Sequence, residues 1–98
     1  MAKVEFEWDE RKNKENQRKH GVSFEEARTV FLDSHAFIYF GSEHSEREDR
    51  FIIVGNSIRF RLLMVVHCYR EEASRVRILS ARKATSQEQK SYEESHEG

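Results

Sequence analysis

Three apolar, strand-like runs, Arg50 to Ser57, Arg61 to Arg70 and Val76 to Ala84, follow one another with only short turn segments between them. So little connecting chain makes antiparallel hairpins the economical topology, because a parallel crossover needs a dozen or more residues. Apolar residues concentrate between Phe51 and Leu79, so this meander is where a packed sheet must form.

A chain of 98 residues fits one domain, residues 1–98, around one modest core. Hydrophobic residues make up 37% and charged residues 36%, which gives a heavily solvated surface. The clustering of the apolar residues nevertheless marks a folded chain rather than a disordered one. No apolar run approaches the roughly 20 residues that cross a bilayer, and the opening MAKVEFEWDE has no apolar stretch of the kind a secretion signal carries. No membrane association and a cytoplasmic location are the expectation. Cys68 is the single cysteine, so no internal disulfide can form, and in its apolar run it reads as a small hydrophobe.

Lys3 to Trp8 alternates strictly, placing Val4, Phe6 and Trp8 on one face of a short half-buried strand. Asp9 can cap a helix running to His20, which Gly21 ends. That helix has almost no apolar stripe. Ser23 with Glu26 has the spacing of a capping box, and Phe24, Ala27, Val30 and Phe31 recur at helical spacing behind it. Ala36 to Phe40 is an aromatic strand, and Thr85 with Glu88 opens a C-terminal helix through about Glu94. The fold class is α+β: elements in the order β-α-α-β-β-β-β-α, an antiparallel sheet of four to five strands, two N-terminal helices and one C-terminal helix packed on one face.

Charge is uneven along the chain. Residues 59–83 hold seven Lys/Arg against Glu71 and Glu72, a local balance of +5, whereas residues 84–98 hold Lys90 against four Glu, a balance of −3. Such a basic centre suits a phosphate-binding face; a sheet edge protected by charge is the other reading. On the Arg61 to Arg70 run, parity sets Arg61, Leu63, Val65, His67 and Tyr69 on one face and Leu62, Met64, Val66, Cys68 and Arg70 on the other. The even set is more uniformly apolar, so it is expected to face the helices and the odd set to carry the chemistry. Parity alone does not decide which residues of the last strand accompany His67, and a bulge would reverse the assignment.

An imidazole in this position is either a hydrogen-bonded core member or a general acid or base. Arg70, Arg77 and Arg82 could each clamp a phosphate through paired hydrogen bonds, or be ordinary ion-pair arginines. Tyr69 and Tyr92 could stack on a base or pack at the core edge. Metal chemistry has less support: the five histidines are scattered, one cysteine cannot make a zinc knuckle, and His44 with Glu43, Glu46, Glu48 and Asp49 reads as a solvated loop. No glycine-rich phosphate loop is present, so no cofactor is expected.

The blocks EWDERKNKENQRKHGVSFEEARTVF, REDRFIIVGNS, LLMVVHCYRE and RVRILSARKAT, with Glu88 and Tyr92 beyond, resemble the BrnT family of bacterial toxins from about Phe6 to Tyr92. Leu79 stands where Ile is common, and Phe60 where a Gly often precedes the arginine at 61. The resemblance implies a RelE-like fold and an endoribonuclease of a type II toxin-antitoxin module that cleaves RNA without a metal and so inhibits translation. It also implies neutralisation by a BrnA-type antitoxin, whose DNA-binding domain alone contacts the operator. Under it, phosphate and transition-state contacts fall to Arg70, Arg77, Arg82 and Lys83, and proton transfer to His67. Lys19 and His20 also fit the family pattern and would line the RNA groove or else terminate their helix, while the residue reading adds Arg61, Tyr69 and Tyr92 as candidate RNA contacts. The alternative is a non-catalytic module that binds RNA or protein through the same basic strands.

Overall fold

The computed structural model describes residues 4–41, 49–72 and 74–95. In chain order they form β1 (Glu5–Glu7), α1 (Glu10–His20), α2 (Phe24–Thr29) running into a 3-10 turn (Val30–Leu32), β2 (Phe37–Phe40), β3 (Phe51–Asn56), β4 (Leu62–Arg70), β5 (Arg75–Lys83) and α3 (Ser86–Ser95). The strands lie in the order β1-β5-β4-β3-β2. β3 through β5 make the antiparallel meander that their short connections imply, and β2 extends it, pairing antiparallel with β3 across a longer connection. β1 corrects the expectation of a wholly antiparallel sheet: it pairs in parallel with β5, Glu5 opposite Arg75 and Glu7 opposite Arg77. No hairpin ties it to its neighbour, so nothing in the connection forces the antiparallel sense.

Val22, Phe24, Ala27 and Val30 pack on Ile53, Leu63, Val65, Ile78 and Ala81, with Phe6 and Trp8 at the margin. The odd residues of β4 therefore face the helices, the reverse of what its apolar content suggested. Cross-strand neighbours decide it, because Leu63 lies beside Gly55 and Val65 beside Ala81, small residues that let the helical layer approach. A Cβ on Gly55 would stand 2.7 Å from the Ala36 side chain. Between Val66 and His67 the β4–β5 register slips: Val66 pairs with Ser80 and His67 with Ile78. Leu79 is the extra residue of a bulge, and the inward parity of β5 changes across it.

α1 has no apolar stripe because amides dock it. Asn16 donates from Nδ2 to the Val22 and Ala81 carbonyls, both at 2.8 Å, and its Oδ1 accepts from Ala81 N–H at 3.2 Å. Asn13 Oδ1 accepts from Phe24 N–H at 2.8 Å. Asn16 thus behaves as a strand partner for β5 beyond the end of β1, satisfying backbone groups whose burial would otherwise be costly. The caps at Asp9 and Gly21 form as expected, with Gly21 in the left-handed region at φ 69. At Ser23 only half the box forms: Glu26 N–H donates to Ser23 Oγ, while the Glu26 carboxylate turns away to Ser57 and Arg61. The Thr85–Glu88 box is complete.

α3 corrects the one-sided helical layer. It lies against the face opposite α1 and α2, where Glu88 meets Arg82 and Tyr92 meets Asn56. Between β3 and β4, Phe60 is 91% exposed and sits at φ 62, a conformation that disfavours any residue with a Cβ. Phe60→Gly should raise unfolding stability by about 0.5–1 kcal/mol, read as an increased urea midpoint at unchanged slope.

Candidate functional site

The face away from α1 and α2 is left open beside α3. Cross-strand pairing brings Met64, Val66, Cys68 and Arg70 of β4 alongside Arg82, Ser80, Arg77 and Arg75 of β5, and the parallel partner of Arg77 is Glu7. Three arginines converge on that one carboxylate. Arg77 Nη1 lies 2.7 Å from Glu7 Oε2, Arg75 Nη1 3.3 Å from Oε1, and Arg70 Nε 3.6 Å from Oε2. The Arg77 hydrogen bond, against slight desolvation and with help from Arg75, holds the Glu7 carboxyl below the ordinary carboxylate range. The cluster is only partly buried, and it offers a proton acceptor amid guanidinium donors able to turn to an anion.

Beside the cluster, where Leu79 follows Arg77 by two positions on β5, opens a cavity of about 480 Å³ lined by Lys12, Gly41, Arg50, Ile52, Met64, Val66, Leu79 and Ser80. Lys12 and Arg50 form no ion pair among the described residues, unlike the arginines of the cluster. Rim cations that form no ion pair among the described residues, with ion-paired arginines beside them, make a track for a polyanion.

A profile of the family described as "Ribonuclease toxin, BrnT, of type II toxin-antitoxin system" matches residues 8–88. The chain belongs to the BrnT family. The crystal structure of the Brucella abortus ribonuclease toxin BrnT superposes with a TM-score of 0.63 at 19% identity, covering 88% of this chain and all of that one. That likeness shows a shared fold. No curated protein matches in sequence. Membership of a type II toxin-antitoxin family brings an antitoxin partner with it.

Against this BrnT-type frame, the residues expected at the site divide. Arg70 and Arg77 join the Glu7 cluster. Arg82 reaches the same face but is held fork to fork by Glu88, Nη1 to Oε1 at 2.9 Å and Nη2 to Oε2 at 3.0 Å. Lys83 is exposed beside Leu63, on the helix-facing side. Lys19 pairs with Glu15 at 3.5 Å, and His20 ends α1 in solvent. Arg61 binds the Glu26 carboxylate and the Gly21 carbonyl. Tyr92 is buried, donating to Asp33 Oδ2 at 2.7 Å and accepting from Asn56 Nδ2 at 3.2 Å, which anchors α3. The acidic loop lies outside the described residues except for Asp49, and no metal-binding group of side chains occurs among the described ones. No described helix is long and apolar enough to cross a membrane.

His67 departs furthest from its expected place. It is 0% exposed on the helix-facing side, its ring 4.9 Å from Phe31 and 5.1 Å from Tyr69. Nε2 lies 3.2 Å from the Tyr69 hydroxyl and Nδ1 3.3 Å from the Val65 carbonyl. Burial pushes the imidazole pKa below its ordinary 6.5, outweighing the opposing Val65 contact. The folded chain thus keeps His67 neutral where the unfolded chain takes up a proton. Its contribution to stability is complete above about pH 6.5 and declines as pH falls from there toward the lowered folded value, by up to about 1.4 kcal/mol per pH unit. Urea midpoints at pH 7.5 and 5.5 should show that decline, and His67→Gln should flatten it.

Glu7, Lys12 and Arg50 escaped the sequence reading. Only the parallel β1–β5 register puts Glu7 among arginines, and no local pattern announces a pairing so distant. Lys12 and Arg50 sit beside strand and helix ends that look solvated in sequence.

Proposed function

We propose that the chain is an endoribonuclease toxin that cuts RNA without a metal, at the Glu7 cluster of the open sheet face. The observation that carries this is one ionised carboxylate held by Arg70, Arg75 and Arg77 in a chain of a ribonuclease family. In the proposed reaction the ribose 2′-hydroxyl attacks the adjacent phosphorus and Glu7 accepts its proton. The arginines turn from Glu7 to the phosphorane, where their charge stabilises the developing negative oxygens. The P–O5′ bond breaks, the 5′-oxygen takes a proton from water, and the products are a 2′,3′-cyclic phosphate and a 5′-hydroxyl.

In this reading the proton-transfer role first expected of His67 passes to Glu7, since a buried neutral imidazole on the other side of the sheet cannot reach RNA lying on the open face. Arg82 positions α3 through Glu88 and borders the track. Lys12 and Arg50 attract the RNA backbone. The architecture is RelE-like, the antitoxin is BrnA-type with a DNA-binding domain through which alone the operator is contacted, and the toxin acts in the cytoplasm on messenger RNA to arrest translation. Purified protein incubated with RNA in EDTA should still cleave and leave cyclic-phosphate ends. Cutting abolished by chelation and restored by a divalent ion would overturn the metal-free mechanism.

A further inference from the structure

The cavity beside the Glu7 cluster has a floor unlike its rim. Ile52 on β3, Met64 and Val66 on β4 and Leu79 on β5 are all partly buried, an apolar floor on a face that α1 and α2 do not cover. Lys12, on α1, and Arg50, just before β3, also line it. The bulge explains how two consecutive residues, Leu79 and Ser80, both line the cavity: re-aiming one side chain is what such an irregularity does. An apolar plate bordered by two cations that form no ion pair among the described residues is complementary to a ligand that is flat and apolar at its centre and anionic on both sides. That is a nucleotide within a single strand.

We infer that this cavity is a nucleobase subsite: an unpaired base lies on Ile52, Met64, Val66 and Leu79, the Ser80 hydroxyl reads its edge, and Lys12 and Arg50 hold the flanking phosphates. The inference rests on the ribonuclease reading above and gives it a register. Arg77 and Leu79 are about 7 Å apart along β5, so a nucleotide seated in the cavity presents a phosphate to the Glu7 cluster. The subsite also demands single-stranded RNA, because a base stacked in a duplex cannot lie on the plate.

Fluorescence anisotropy with 2′-O-methyl RNA octamers, which lack the attacking hydroxyl, tests this on the intact chain. One abasic position in the octamer should weaken binding about tenfold, the effect of leaving roughly 60 Å² of base face unburied, and the others less than twofold. In Leu79→Ala the abasic penalty should shrink to less than threefold. Ser80→Ala, which leaves the floor intact, should change the ranking of the A, C, G and U homo-octamers. A penalty below twofold at every position, or one undiminished in Leu79→Ala with the base ranking unchanged in Ser80→Ala, overturns the subsite, as does failure to bind any octamer. Cleavage of unmodified RNA without an abasic effect refutes the subsite alone. An abasic effect without cleavage refutes the ribonuclease reading alone.

Discussion

Glu7→Gln should lower RNA cleavage by roughly 10²- to 10⁴-fold, the range associated with loss of a positioned proton acceptor. The amide keeps the shape of the side chain and can still accept hydrogen bonds from Arg75 and Arg77, so β1 should stay on β5. The measurement is single-turnover cleavage of a defined RNA by folded wild-type and variant protein, with affinity for a 2′-O-methyl analogue measured in parallel. A slow variant that binds the analogue as well as wild type does assigns Glu7 to the chemical step. If Glu7→Gln cleaves at the wild-type rate, the carboxylate only fixes the arginines and the proton acceptor lies elsewhere.

The second large effect is on stability. Glu26→Ala should reduce unfolding free energy by about 3–5 kcal/mol, a large part of the 5–15 kcal/mol typical of a whole domain. The Glu26 side chain is 4% exposed and accepts from Arg61 Nε at 2.9 Å, from a second Arg61 nitrogen, and from Ser57 Oγ at 2.6 Å. Truncation would leave a half-buried guanidinium and a buried hydroxyl without their acceptor. Urea unfolding measures the loss, and a paired replacement, Glu26→Leu with Arg61→Leu, should lose much less than Glu26→Ala because no orphaned charge remains. The Arg61 hydrogen bond, reinforced by Ser57 and opposed by burial, lowers the Glu26 pKa from its ordinary 4.5. The folded value being the lower one, this stability is present above about pH 4.5 and is lost as pH falls through the folded value.

The local grammar of the chain was legible where it acts locally. Asp9, Gly21 and the Thr85–Glu88 box bound their helices as their spacing implies, and the short turns imply the meander from β3 to β5. What escaped depends on partners far away in sequence. Glu26 has the position of a capping-box acid, but a half-buried arginine from the β3–β4 side offers a stronger contact than its own helix N-terminus. Asn13 and Asn16 look like solvent-facing residues of a polar helix until Phe24 and β5 present backbone groups that need them. The inward face of β4 was misjudged because composition was weighed along one strand, whereas small neighbours on β3 and β5 determine where helices fit. In sequence each arginine is equally a phosphate clamp or an ion-pair arginine, and only the partners decide. Arg70 and Arg77 meet at the Glu7 carboxylate, while Arg61 and Arg82 are held by Glu26 and Glu88, acids that brace the fold.

The pairing of β1 with β5 also has a temporal meaning. Glu7 and Arg77 are 70 positions apart, and neither strand can recruit the other until both have left the ribosome. On the proposed reading, a reaction centre closed by the first strand meeting the last cannot assemble until β5 has been made.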